Sequence, residues 1–138
     1  MRKIFLLVVL TSILSCKQNI KEADISNLNG YWEIERVELP DGDKKEYKVN
    51  ETIDFFKIEA NKGFRKKVMP QLDGTYLTND LQENVSVVME NGEVILQYKT
   101  NYASWKEEII ELTKDKLVVK NGQEMEYHYK RPAKFSLK

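Results

Sequence analysis

The chain lacks the residues on which several classes of protein depend. One Cys and one His stand among its 138 residues, which excludes an internal disulfide and leaves few ligands for a transition-metal site. Six Gly and three Pro are too few for a fibrous or low-complexity protein. Basic and acidic residues balance at 22 each, so no excess positive charge directs the chain to nucleic acid. We expect one globular domain with no metal, no cofactor and no nucleic-acid partner.

Long apolar runs are scarce as well, and the one that stands out lies at the N-terminus. Residues 4–14 are almost wholly apolar and follow the basic Arg2 and Lys3. Eleven residues match the core of a signal peptide and are too few to span a bilayer about 30 Å thick. Residues 1–15 are therefore predicted to be a signal peptide and not part of the fold.

The apolar run ends in Ile13-Leu14-Ser15-Cys16, which resembles the lipobox of bacterial lipoproteins. Such a signal is cut after a small residue, and the Cys that follows becomes the acylated first residue. The chain's single Cys stands at the required position. The resemblance implies a palmitate-type lipid on Cys16 and a membrane-anchored lipoprotein of the cell envelope, in the outer membrane. Several acyl chains would anchor firmly, since each buried methylene adds about 0.8 kcal/mol. The alternative is an ordinary secretory signal with an incidental Cys.

Residues 16–29 hold this Cys and a polar segment. Only Ile20, Ile25 and Leu28 are larger apolar residues in it. An isolated helix needs about 12–15 residues to be stable, so a helical turn here would have no support of its own. We expect a flexible tether that joins the folded domain near Leu28.

From Gly30 onward the apolar residues recur with a period of two, which predicts β-strands. In the first strand this period places Trp32, Ile34 and Arg36 on one face. Asn91-Gly92 lies between two apolar runs, and Asn-Gly in that setting is the strongest short-range signal for a hairpin. The same pair recurs at residues 121–122.

About eight or nine short strands and no clear helix predict an all-β domain over residues 30–132, with a tail over residues 133–138. Residues 107–110 have helical propensity, but the turn and strand after them favour a hairpin. Residues 44–51 are charged and predicted to be a loop. Successive hairpins give an antiparallel up-and-down meander, which either closes into a barrel or splits into a sandwich. Closure removes exposed edges, and about eight strands enclose side chains or one small ligand.

Four segments carry a family resemblance. Gly30-Tyr31-Trp32 at the first strand is similar to the lipocalin signature, as are residues 61–64, residues 74–76 and the run from 105 to 119. Over roughly residues 28–132 the chain resembles a bacterial lipocalin-like lipoprotein. The resemblance implies a calycin barrel, open at one end, that binds a small hydrophobic molecule or serves as a surface module.

The resemblance also implies a closed barrel floor. In lipocalins an Arg near the end of the last strand lies over the Trp of the first strand, and Arg131 and Trp32 match these positions. A guanidinium over an indole contributes about 0.5–2 kcal/mol. The C-terminal helix of lipocalins has no counterpart, because residues 133–138 are too few to form it.

Aromatic side chains are the candidates for a ligand pocket. They are Phe56, Phe64, Tyr76, Tyr98, Trp105, Tyr127 and Tyr129. Rings with a polar tip suit a pocket that buries an apolar ligand and orients it through a hydroxyl. The alternative is that the same rings fill the core of a small barrel.

No group of residues points to catalysis. His128 has neither a nucleophile nor an orienting acid at a local spacing. Residues 65–67 form a basic cluster, which is either a solvated strand face or a contact to anionic head groups. We predict a non-enzymatic, monomeric, membrane-anchored protein that binds a small hydrophobic or amphipathic ligand in its barrel. The alternative is an envelope protein-interaction module with a filled barrel and no small-molecule ligand.

Overall fold

The computed structural model of the protein describes residues 17–133. The predicted signal peptide, Cys16 and residues 134–138 lie outside the described residues. Between residues 17 and 133 no helix has the length and apolarity needed to cross a membrane. That part of the chain holds a 3-10 helix, Glu22–Leu28, and ten strands. The strands are β1 (Gly30–Glu38), β2 (Lys44–Glu46), β3 (Ile53–Glu59), β4 (Lys62–Pro70), β5 (Tyr76–Thr78), β6 (Glu83–Glu90), β7 (Glu93–Lys99), β8 (Ser104–Leu112), β9 (Lys116–Asn121) and β10 (Glu126–Lys130).

Eight of the strands form a closed antiparallel barrel. They follow the order β1-β3-β4-β6-β7-β8-β9-β10, and β10 pairs with β1 to close the sheet. The remaining two are short additions, β2 on β1 and β5 on β4. The predicted all-β meander and its closure into a barrel are thus confirmed. The loop prediction for residues 44–51 is wrong at Lys44–Glu46, which pairs with the end of β1.

The 3-10 helix covers one end of the barrel, called here the floor. Leu28 is fully buried there beside the Trp32 ring, and the Trp32 indole Nε1 donates to the Leu28 carbonyl at 2.8 Å. The Asn29 side chain bonds both backbone groups of Ile58, accepting from its N–H at 2.6 Å and donating to its carbonyl at 3.0 Å. These bonds fix the helix end to β3.

The flexible tether predicted for residues 17–29 is not what the structure shows. Ile20, Ile25 and Leu28 are buried in the main core. They cover apolar side chains that an uncovered floor would expose to water. Gln18 bonds the backbone of Leu112 twice, at 3.0 and 2.8 Å. The segment is therefore part of the domain from Lys17 onward.

A β-bulge corrects one detail of the first strand. Ile34 pairs with Tyr129, but the next pair along β1 and β10 is Arg36 with His128, so Glu35 is an extra residue. A bulge of this kind turns the residues after it to the opposite face. Arg36 therefore shares the outer face with His128 and not, as predicted, the face of Trp32.

Candidate functional site

The half of the barrel interior away from the floor, called here the upper layer, contains buried charges. Arg65 of β4 makes a two-pronged ion pair with Glu83 of β6, with N–O distances of 2.9 and 2.7 Å. Its third nitrogen lies 3.4 Å from Glu107 of β8. Asp54 pairs with Lys67 at 2.6 Å. The bidentate contact between Arg65 and Glu83 fixes the orientation of both of these side chains.

Aromatic rings surround the Arg65 guanidinium. Its Cζ atom lies 4.2 Å from the centroid of the Tyr98 ring, which stacks on Trp105 at 5.4 Å. Burial disfavours the charged form of Arg65, but Tyr98 and Glu83 raise its pKa above the usual value, so it stays protonated. Burial raises the pKa of Glu107 and that of the Tyr98 hydroxyl. The upper layer is thus a largely buried polar cluster.

Five of the seven predicted ligand residues lie inside the barrel. They are Phe56, Tyr98, Trp105, Tyr127 and Tyr129. Phe56 and Tyr98 are only 2% and 1% exposed, so they border almost no space large enough for water. Trp105 and Tyr127 are half-buried towards the open end. The interior is filled by its own side chains at the depth of Phe56 and Tyr98.

The other two predicted residues, Phe64 and Tyr76, lie on the outside of the barrel. Phe64 pairs with Lys57 and alternates with Arg65, which points inward. Outside, Tyr76 stacks on Tyr31 with ring centroids 4.0 Å apart, and Phe55 connects Tyr31 to Phe64 at 4.8 and 6.2 Å. We call these four rings the outer aromatic cluster.

A groove of about 780 Å³ opens beside this cluster and is called here the wall groove. Tyr31, Tyr76 and Ile53 line it, together with residues from the 48–51 and 70–75 segments. A smaller cavity of about 190 Å³ shares Tyr31 and Tyr76 with it. The wall groove lies within the size range of small-molecule sites in proteins.

The wall groove exists because β1 leaves β3 early. The two strands pair only from Gly30 to Trp32, and β1 pairs with β2 from Arg36 onward. The chain between β2 and β3 fills part of the gap, where the Asn50 amide donates to the Glu33 carboxylate and the Ile34 carbonyl, both at 3.0 Å. A divergence between two strands thus becomes a cleft with a fixed edge.

The barrel floor has the contact that the resemblance implies. The Arg131 guanidinium lies 3.6 Å from the Trp32 ring centroid and donates to the carbonyls of Tyr31 and Asn27 at 2.9 and 2.7 Å. Gly30 has a φ of +107°, and a Cβ there would lie 3.2 Å from the Arg131 Nη1 atom. The Gly of the Gly-x-Trp motif suits this approach, because a side chain there would be strained and would crowd the Arg131 guanidinium.

Sequence reasoning missed Arg65, Glu107 and Tyr31. Arg65 stood in a basic run next to two lysines and was interpreted as part of that cluster, while Glu107 stood in an acidic run. A pairing of Arg65 with Glu83 across neighbouring strands was the available signal, but it depends on knowing the register. Tyr31 lies on the face opposite Trp32, and sequence reasoning gave it no role.

Known proteins resemble the chain as follows. The sequence model of the lipocalin-like domain family matches residues 28–119. The solved structure of a lipocalin-like protein from Bacteroides uniformis ATCC 8492 shares the fold, with a TM-score of 0.50, 13% sequence identity, and coverage of 77% of this chain and 99% of that chain. At this identity the likeness concerns the fold alone. None of the curated proteins matches the chain.

Proposed function

Because this chain belongs to the lipocalin-like domain family, we propose that it is a monomeric, non-enzymatic binding protein that holds a small amphipathic ligand in the wall groove. The observation that carries the proposal is the contrast between the filled interior and the open groove. Interior rings such as Tyr98 are 1% exposed, whereas a cleft of about 780 Å³ lies on the wall. The site proposed here thus lies outside the barrel interior, where the sequence analysis placed the ligand.

The lining of the wall groove suits a ligand with an apolar body and a polar group. Tyr31 and Tyr76 offer ring faces, and Val49 and Leu72 line the groove while remaining 87% and 69% exposed. Exposed apolar side chains that converge on one cleft mark binding surfaces. Lys48 also lines it and makes no ion pair within residues 17–133.

Titration with a fluorescent fatty acid tests this site. We expect saturable binding by the parent and a loss of affinity of about tenfold, or 1.4 kcal/mol, in Tyr76→Ala, because that substitution removes one ring of the stacked pair. Tyr102→Ala is the matched control, since Tyr102 is 98% exposed on a distant turn. Thermal melting of each variant shows that its fold is retained.

Two outcomes would redirect or overturn the proposal. A loss of affinity in Tyr127→Ala, with Tyr76→Ala unchanged, would place the ligand in the mouth of the barrel. No displacement by any apolar probe would reject a small-molecule ligand and favour the protein-interaction module.

We further propose that the protein is held at the membrane of the cell envelope through a lipid on Cys16. The support is the lipobox-like Ile13-Leu14-Ser15-Cys16 after an eleven-residue apolar run. Cys16→Ser should move the protein from the membrane fraction to the soluble fraction, whereas Ser15→Ala, which keeps a small residue before the Cys, should leave it in place. Membrane retention of Cys16→Ser would show that the lipobox interpretation is wrong.

A further inference from the structure

Three potential metal ligands meet on the outer face where the last strand joins the first. Glu126 of β10 pairs directly with Glu38 of β1, and His128 pairs with Arg36. The His128 Nε2 atom lies 3.6 Å from the Glu38 Oε2 atom and 3.9 Å from the Glu126 Oε1 atom. This seam closes the barrel, and none of the three residues lies near the wall groove or the floor.

His128 is unusual for a residue on an outer face. It is only 7% exposed, and within residues 17–133 neither of its ring nitrogens has a hydrogen-bond partner. A buried polar group without a partner loses its hydration without compensation.

We propose that His128, Glu38 and Glu126 bind one divalent cation of the zinc type. Zinc takes both His nitrogen and carboxylate oxygen as ligands, and an open zinc site combines three protein ligands with a water molecule. Calcium and magnesium instead prefer oxygen ligands throughout. Composition alone offered one His and therefore few ligands for a transition metal. The pairing of β1 with β10 brings two carboxylates next to that His.

The two carboxylates of the ligand set lie opposite each other, with Arg36 and Lys44 beside them. Two carboxylates opposite each other on paired strands repel. Arg36 offsets part of this repulsion, but its Nε atom contacts only the Oε1 atom of Glu38, at 3.0 Å, and Lys44 approaches the same oxygen at 3.9 Å. Oε2 of Glu38 is left facing the imidazole.

The spacing requires little movement. The three ligand atoms lie within 4.8 Å of one another, and ligands about 2.1 Å from a tetrahedral zinc ion lie about 3.4 Å apart. The Glu126 side chain is 36% exposed and can turn by the remaining distance. A bound ion would connect the first strand of the barrel to the last and so oppose opening of the barrel at this seam.

Calorimetric titration with zinc chloride tests the site. The sample is the full chain, purified in detergent without a histidine tag and carrying Cys16→Ser, which removes the only thiol. We expect one ion per chain and an affinity lowered about tenfold or more by Glu126→Gln. Glu124→Gln is the matched control, because that carboxylate pairs with Lys120 and is absent from the ligand set; it should stay within about twofold of the parent.

Nitrogen NMR of the imidazole gives a second, independent readout. The chain contains one His, so its ring resonances need no assignment, and zinc should shift the coordinated nitrogen while calcium at the same concentration does not. A raised melting temperature with zinc should accompany this shift. No saturable zinc binding, an equal loss of affinity in Glu124→Gln, or zinc binding without a shift of the ring nitrogens would overturn the proposal.

Discussion

The two halves of the barrel interior are built from different chemistry. The half nearest the floor is apolar, and Trp32, Leu96 and Ile109 are fully buried in it. The upper layer contains the ion-paired Arg65 and Glu107. Apolar packing stabilises in proportion to the area buried, whereas buried ion pairs contribute little net stability but cost much when one partner is removed. The floor half therefore contributes most of the stability. In the upper layer, a substitution is costly when it leaves a buried charge without its partner.

The largest effect is expected from Trp32→Ala in the floor half. It removes a fully buried indole together with its bond to Leu28 and its contact with Arg131, so the free energy of unfolding should fall by about 3–5 kcal/mol. Trp105→Ala, in the half-buried part of the upper layer, should cost about 1–2 kcal/mol. Urea denaturation followed by circular dichroism measures both, and equal losses would remove the distinction between the halves.

A smaller effect is expected from Arg65→Met in the upper layer. The substitution leaves the carboxylates of Glu83 and Glu107 without their cation, and the free energy of unfolding should fall by about 3 kcal/mol. Lys66→Met, at the next residue but on the outer face, should change it by less than about 1 kcal/mol. Adding Glu107→Gln to Arg65→Met should recover part of the loss, and no recovery would mean that the loss comes from packing alone.

The smallest effect, and a pH-dependent one, is expected from Glu107→Gln. Burial raises the pKa of Glu107 in the folded protein, so the folded state holds this proton more tightly than the unfolded chain. The stabilising contribution is complete below the ordinary pKa and is lost as the pH rises through the raised one. The Gln variant should therefore gain stability relative to the parent between pH 4.5 and pH 7. Denaturation at both pH values measures this, with the exposed Glu90→Gln as the control; an unchanged difference would contradict the prediction.

The strands could be predicted because alternation and turn residues are local properties of the sequence, whereas closure of the strands into a barrel was implied by the family resemblance. The side on which each ring lies could not be predicted with the same success. Phe55 and Phe56 are adjacent, so the pattern of β3 fits either face, and the neighbouring β4 offers Phe64 beside Arg65. Hydrophobicity favours Phe64 inside, but the register places Arg65 there because Glu83 and Glu107 complement it.

The structure of the N-terminal segment could not be predicted from its own sequence. Its sparse apolar residues are too few for a stable element alone, and the pattern contains no sign of the surface that they cover. Ile20 and Ile25 become core residues only because the barrel leaves one end open to them. The bulge at Glu35 is likewise a property of the β1–β10 pairing and not of either strand by itself.

The bonds at Gln18 have a consequence for the orientation of the protein. Only Lys17 separates this anchored residue from Cys16, and Lys17 itself pairs with Glu108 at 2.7 Å. One residue spans at most about 3.6 Å. If Cys16 carries an acyl group, this short connection would restrict rotation of the domain relative to the membrane. The floor would then face the lipid head groups, and the upper layer would face the surrounding water.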